Sequence, residues 1–359
     1  MNLLRNLSVA TLLAIPAALH SSLAVADESA GSCERQGAAE FICDLSGPED
    51  LVLVPQSHWV LVSGMGHSIT ERQGTLYVID SRTRQATTIY PAASAKVRHD
   101  RQRYAECPGP LDPASFAGHG IDLAPNAAGV PTVYVVNHGG RESIEIFEID
   151  VKSPVPTATW VGCILYPQGT SGNGVAVLPD GGLATTNFFD PADKDAFQRM
   201  AAVEITGYVL EWHPGKGWEK VPGSEMSGPN GILASKDGKY LYVAAWPAKT
   251  VTRFARTEGW KQEVVHMGFM TDNMRWSADG SILAAGHDVD PSKIFLCQPP
   301  ECYITTAIAR LDPQTLKSKV ILRYPGNASF AGGTTAIEVG KEIWLGSYQG
   351  TRLARFTVD

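Results

Sequence analysis

Apolar and polar residues alternate with a period of two along most of this chain. The segments TLYVID, TVYVVN, IEIFEID, GYVLEW, YLYVAAW, IARLD and EIWLGS are bounded by Gly, Pro, Asn or Asp. This alternation predicts β-strands separated by turns. Helical periodicity is nearly absent, and the one candidate, Asp193 to Glu204, is short. Stacking the strands reveals a repeat: a polar residue, an alternating strand, a turn and a second apolar strand. The repeat opens at Glu49, His119, Asn173, Asn230, Asp272 and Thr334. Three of its turns are the pairs Asp180-Gly181, Asp237-Gly238 and Asp279-Gly280. Such pairs suit tight hairpins because Gly accepts positive φ.

Successive openings lie 42 to 70 residues apart. A four-stranded propeller blade takes roughly 40–50 residues, which leaves the surplus for loops. The prediction is an all-β fold, a six-bladed β-propeller whose ring closure removes exposed sheet edges. A two-domain β-sandwich is the alternative. No Pro/Ser-rich linker divides the chain, which favours one domain.

The N-terminus changes the domain assignment. A short basic start, an apolar run from Leu7 to Leu19 and the small-x-small site Ala24-Val25-Ala26 predict a secretory signal peptide over residues 1–26. The propeller domain is then 27–359. The apolar run is too short for a membrane anchor and is interrupted by Pro16 and His20, and no other long apolar segment follows. Export to the periplasm or the medium is expected. The formal charge of −7 and the lack of a basic stripe argue against nucleic acid and anionic membranes as partners. No partner protein is implied. Six cysteines, at 33, 43, 107, 163, 297 and 302, suggest disulfides in an exported chain. Cys297 with Cys302 is favoured, then Cys33 with Cys43 and Cys107 with Cys163; free buried thiols are the alternative.

The candidate chemistry lies at the repeat openings. In a propeller the innermost strands begin at one end of the central channel, so Glu49-Asp50, His119, Asn173, Asn230 and Asp272-Asn273 converge on the axis. Carboxylate and amide oxygens meeting at one point predict a calcium site, since calcium takes six to eight oxygens. Carboxylates clustered without a cation would be costly to desolvate. Manganese, magnesium or zinc would also accept such ligands, and a set of plain turn residues is the bland alternative. His138 ends the second strand of the His119 repeat, which brings the two histidines toward the same channel end. A histidine pair beside a metal can activate water; two hydrogen-bonded turn histidines are the alternative. His287 and Asp288 read as loop residues. The serine-nucleophile elbow, the phosphate-binding glycine loops and the H-E-x-x-H zinc motif are missing from the sequence.

These segments resemble the paraoxonase family. PEDLVLVPQ is similar to its first-blade Glu-Asp motif. FAGHGIDL followed by VVNHGGRESIEIFEID is similar to its histidine-bearing second blade. GNGVAVLPDG, GPNGILASKDGKYLYVA and TDNMRWSADG resemble its later metal-ligand segments. Broader relatives are the gluconolactonase, senescence-marker and strictosidine-synthase-like propellers. The resemblance implies calcium on the axis, held by Glu49, Asn173, Asn230, Asp272 and Asn273, a His119–His138 dyad, and hydrolysis of small-molecule lactones and activated aryl esters. The family's second, structural calcium implies Asp50 and the carbonyl of Ile121 as ligands, but Gly174 stands where an aspartate would complete that set. The chain also ends in RLARFTVD, without the cysteine that closes the family's ring, so closure must rest on strand pairing. TTNFFD around Asn187 differs from the family's aromatic and histidine-bearing loop, so no substrate carries over.

The mechanism these features predict is calcium-assisted attack of water on an ester carbonyl. The base would be the histidine pair or a carboxylate on the metal. Two rivals stand beside it: a sugar lactonase of the gluconolactonase type with one metal and no histidine role, and a non-catalytic, calcium-stabilised binding propeller.

Overall fold

The computed structural model describes residues 33–66, 73–297 and 302–358. The predicted signal peptide lies outside the described residues. Six sheets surround a common axis, so the propeller expectation holds and the two-domain sandwich does not. Their innermost strands are Pro48–Leu53, Gly118–Pro125, Ser171–Val177, Pro229–Ala234, Met270–Trp276 and Gly333–Val339, which define blades 1 to 6. Each innermost strand packs against the next around the ring, and the sixth meets the first.

Burial differs from strand to strand within a blade. Second strands such as Trp59–Gly64 and Tyr240–Ala245 are buried on nearly every residue. They are sandwiched between neighbouring blades, so both faces meet protein. Outermost strands such as Lys261–His266 and Ser318–Tyr324 are largely exposed. The interblade space is filled by apolar residues, for example Leu51, Val60, Val62, Ile79 and Trp344 between blades 1 and 6. The three Asp-Gly turns have their glycines at positive φ, +85° at Gly181, +69° at Gly238 and +84° at Gly280. The one helical candidate is confined to Ala196–Ala201.

Ring closure rests on strand pairing. Glu40–Ile42 adds the outermost strand to blade 6, pairing antiparallel with Leu353–Thr357 in the register Glu40↔Arg355, Phe41↔Ala354 and Ile42↔Leu353. The Arg355 guanidinium donates to Glu40 Oε2 at 2.6 Å. The disulfide Cys33–Cys43 brackets this strand, and Cys107–Cys163 and Cys297–Cys302 complete the three favoured pairings. Among the described residues no helix is long and apolar enough to cross a membrane.

Candidate active site on the propeller axis

Every innermost strand carries a register irregularity at the residue that opens the repeat. The shifts fall between Pro48 and Asp50, Gly118 and Ile121, Gly172 and Val175, Pro229 and Ile232, Thr271 and Met274, and Gly333 and Ala336. They enclose Glu49, His119, Asn173, Asn230, Asp272-Asn273 and Thr334-Thr335. A bulge leaves residues unpaired and re-aims their side chains, which takes these groups out of the ladder alternation and toward the axis. The glycine after three of them permits the close approach. A Cβ on Gly120 would lie 2.2 Å from Asn173 O, one on Gly174 2.9 Å from Asn230 O, and one on Gly231 2.3 Å from Asp272 O. Blades 2 to 5 therefore stack backbone against backbone at this level. Thr186 Oγ1 donates to Asn230 O at 2.6 Å across the same seam of blades 3 and 4, and Thr334 Oγ1 donates to Glu49 O at 2.6 Å, tying blade 6 to blade 1.

The structure brings Glu49, Asp50, Asn173, Asn230, Asp272 and Asn273 into a buried polar group. Asn273 Nδ2 donates to Glu49 Oε1 at 2.7 Å and approaches Asp272 Oδ1 at 3.4 Å. Glu49 Oε2, Asn173 Oδ1 and Asn230 Oδ1 are buried without a hydrogen-bond partner among the described residues. Three bare oxygens beside two carboxylates are costly unless something positive meets them. Burial, then the neighbouring Asp50 and Asp272, pushes the Glu49 carboxyl well above its usual range. Burial, then Asp50, does the same to Asp272. Both effects would be offset by a hard cation, so this donor set fits the calcium expectation. Among the described residues no cluster of three or more His, Cys, Asp or Glu side chains has metal-binding spacing; the donor set here is carboxylate mixed with amide.

His119 and His138 meet as expected, with Nδ1 of His119 and Nε2 of His138 2.9 Å apart. A third member was not foreseen. Glu142 Oε1 and Oε2 lie 3.0 and 2.9 Å from His138 Nδ1. A carboxylate can only accept, so His138 carries its proton on Nδ1. When the His138 ring is neutral, its Nε2 accepts from Nδ1 of His119, and Nε2 of His119 is left unprotonated. Burial, and secondarily His138, holds the His119 imidazole well below its usual pKa, which keeps it neutral.

The loop that supplies these groups is fixed locally. Asn137 Oδ1 accepts from Ala117 N at 2.9 Å, while its Nδ2 donates to Gly139 O and Arg141 O. A Cβ on Gly139 would fall 1.6 Å from Ser115 O, so only glycine fits. Arg141 is held in turn by the buried Glu145, at 2.8 and 3.0 Å. The signal for Glu142 in sequence was its position four residues beyond His138.

His287 corrects the sequence reading. It is not a loop residue but the buried end of the strand Ile282–His287. Its Nδ1 accepts from Trp246 Nε1 at 3.1 Å and lies 3.7 Å from Asp272 Oδ2. Burial holds its imidazole down at about 4, so it is neutral here. From His287 an aromatic wall runs outward along the same rim, through Trp246, Phe295, Phe197 and Phe189, with Tyr348 also against the imidazole. Asn187 is structural, since its Oδ1 accepts from Ser171 N at 3.0 Å and anchors the start of blade 3. Asp50 and the Ile121 carbonyl are engaged by Arg275, whose guanidinium donates to Asp50 Oδ1 and Oδ2 at 2.6 Å and to Ile121 O at 2.8 Å.

Fold and site together define a six-bladed propeller with an acidic, amide-lined axis, a histidine pair and an aromatic rim. The arylesterase family model matches residues 185–353. Serum paraoxonase/lactonase 3 of Homo sapiens is 26% identical over 305 residues, 82% of this chain and 81% of the human protein. The Rattus norvegicus protein of the same name is 25% identical over 314 residues, 84% and 83% of the two chains. The solved structure of a candidate gluconolactonase shares the fold with a TM-score of 0.52 at 16% identity, covering 89% of this chain and 91% of that one. A streptogramin B lyase shares it at a TM-score of 0.50 and 11% identity, covering 89% and 97%. The chain is a paraoxonase- and arylesterase-like six-bladed propeller. The likeness to a lyase shows that this fold alone does not choose the chemistry.

Proposed function

We propose that this protein hydrolyses lactones and activated aryl esters at the axial site, with calcium as its metal. The observation that carries the reading is the convergence of bare amide and carboxylate oxygens at the strand bulges, beside a Glu142–His138–His119 hydrogen-bonded chain. Likeness to the serum paraoxonase/lactonases supports the same reaction class. Glu49, Asn173, Asn230, Asp272 and Asn273 would hold the ion. Bound there, calcium supplies electrophilic polarisation of an ester carbonyl and charge stabilisation of the oxyanion.

The chain's own residues do the rest. His119 Nε2 takes a proton from the attacking water. The positive charge that develops is shared through Nδ1 with His138 and is stabilised by the Glu142 carboxylate, in the manner of a base oriented by a third group. The wall formed by Trp246, Phe295, Phe197 and Phe189 takes the apolar part of the substrate. The three-membered chain favours a histidine role over the sugar-lactonase alternative, in which no histidine acts.

The test is a panel of lactones and aryl esters assayed with calcium and with a chelator, with circular dichroism in both. Turnover that needs calcium, is abolished in Asp272→Ala together with metal binding, and falls strongly in His119→Gln supports the reading. An unchanged rate in His119→Gln points to the single-metal sugar lactonase. No turnover across the panel, with calcium only raising the melting temperature, leaves the binding propeller.

A further inference from the structure

Arg275 brings a cationic side chain to the axis, and the hydrolysis mechanism does not use it. It projects from the innermost strand of blade 5, and its side chain is only 10% exposed. Its Nε donates to Leu51 O at 2.8 Å and its Nη1 to Met274 O at 2.9 Å. Its Nη2 serves both oxygens of Asp50 and the carbonyl of Ile121. A single guanidinium thus spans blades 1, 2 and 5 across the channel. Asp50 is further saturated by Leu51 N at 2.9 Å, Ile121 N at 2.7 Å and Thr335 Oγ1 at 2.8 Å. The nearby Asp122, partly exposed, is satisfied by the backbone N–H groups of Leu123 and Val177.

Asp50 and the Ile121 carbonyl are the two groups that a second, structural calcium would need. Both are taken, and the third ligand cannot be supplied. A Cβ at Gly174 would lie 2.9 Å from Asn230 O and 3.0 Å from Ile232 N, so a carboxylate there would force two backbones apart. The residues present therefore do not fit a second ion.

We propose that the Arg275 guanidinium is the permanent second cation of the axis, and that the protein holds one metal ion rather than two. This rests on the calcium reading of the Glu49–Asp272 site. A guanidinium suits this place because it stays charged at any working pH and its donors are arranged as a fork. It also balances the axis: three buried carboxylates, Glu49, Asp50 and Asp272, less one guanidinium leave two negative charges, the complement of one divalent ion. Unlike a calcium ion, the arginine cannot be chelated. The brace between blades 1, 2 and 5 therefore persists when the metal is removed.

The test counts calcium on the full purified protein by elemental analysis and by calorimetric titration, with melting temperatures recorded in calcium and in chelator. The expected result is one calcium per chain and a cooperative fold that survives chelation. Arg275→Met is expected to lower the melting temperature in chelator by several degrees, because Asp50 is left as an unpaired buried charge. The double variant Asp50→Asn/Arg275→Met removes both charges. It is expected to recover most of that loss and still bind one calcium, which keeps the inference falsifiable if the single variant fails to fold. Two calcium ions per wild-type chain would overturn the inference while leaving the catalytic reading intact. No calcium bound at all would overturn both.

Discussion

Replacing Glu142 by Gln isolates the charge at the far end of the histidine chain. The amide oxygen of Gln can still accept from His138 Nδ1, so the tautomer that frees His119 Nε2 is retained, and only the negative charge is lost. At about 3 Å and an effective dielectric near 20, a full charge pair would be worth about 5 kcal/mol. That is a ceiling, because the Glu142 side chain is 29% exposed and His138 17%, and solvent screens the pair. A charge-assisted hydrogen bond contributes about 1.5–3 kcal/mol, and the charge on the dyad arises only as the proton is taken. Since about 1.4 kcal/mol is a tenfold change, Glu142→Gln should lower kcat about 10- to 100-fold with little change in KM. Removing the carboxylate also makes the protonated dyad less stable, so the acid limb of the kcat/KM profile should move to lower pH. The assay is a pH series of kcat and KM on one lactone at saturating calcium, with the melting temperature as a control for folding. An unchanged kcat and an unmoved acid limb would refute the chain as a working unit and leave Glu142 as a loop anchor. Glu142→Ala, which loses the acceptor as well, should be slower than Glu142→Gln.

Calcium binding should carry its own pH dependence. Burial raises the Glu49 and Asp272 carboxyls, so without metal the folded chain binds more protons than the unfolded one, and their contribution to stability is lost as pH rises through the raised values. The low pKa values of His119 and His287 act in the opposite sense below about 6.5. The rise in melting temperature on adding calcium should therefore grow from pH 5 to 8, as binding displaces those protons; a rise independent of pH would contradict the site. Phe197 is 46% exposed and packs on Phe189 and Phe295. Phe197→Ala should cost little stability, should lower kcat/KM severalfold for bulky apolar esters, and should leave a short unbranched lactone unaffected; equal loss on both substrates would remove the wall from substrate binding. The Cys33–Cys43 bridge closes a loop with a sequence separation of 10 around the strand that closes the ring. Its removal should cost about 3 kcal/mol on a chain-entropy estimate, or about 4 °C in a domain of this size, by calorimetry; no change would mean that the ring closes without it.

The chain's own pattern determined the architecture and the level of the site. Period-two alternation, Asp-Gly turns and six recurring polar openings are local properties, and each opening falls on a bulge of an innermost strand. The short loop between Cys297 and Cys302 also favoured the first of the three pairings that the structure holds. Alternation does not show how deeply the second strands lie, because burial on both faces comes from neighbouring blades. Reading His287 as a loop residue failed for a related reason: its neighbours, Trp246 and Asp272, belong to other strand ends.

Only the tertiary structure decided which further polar groups join the repeat openings. Glu142 matters because the Gly139 turn folds its carboxylate back onto His138. Arg275 matters because a side chain from blade 5 crosses the axis to Asp50, 225 residues earlier in the chain. No local propensity encodes that contact. A ring of six blades brings one position of each repeat to a single point, and the charge balance there belongs to all of them at once.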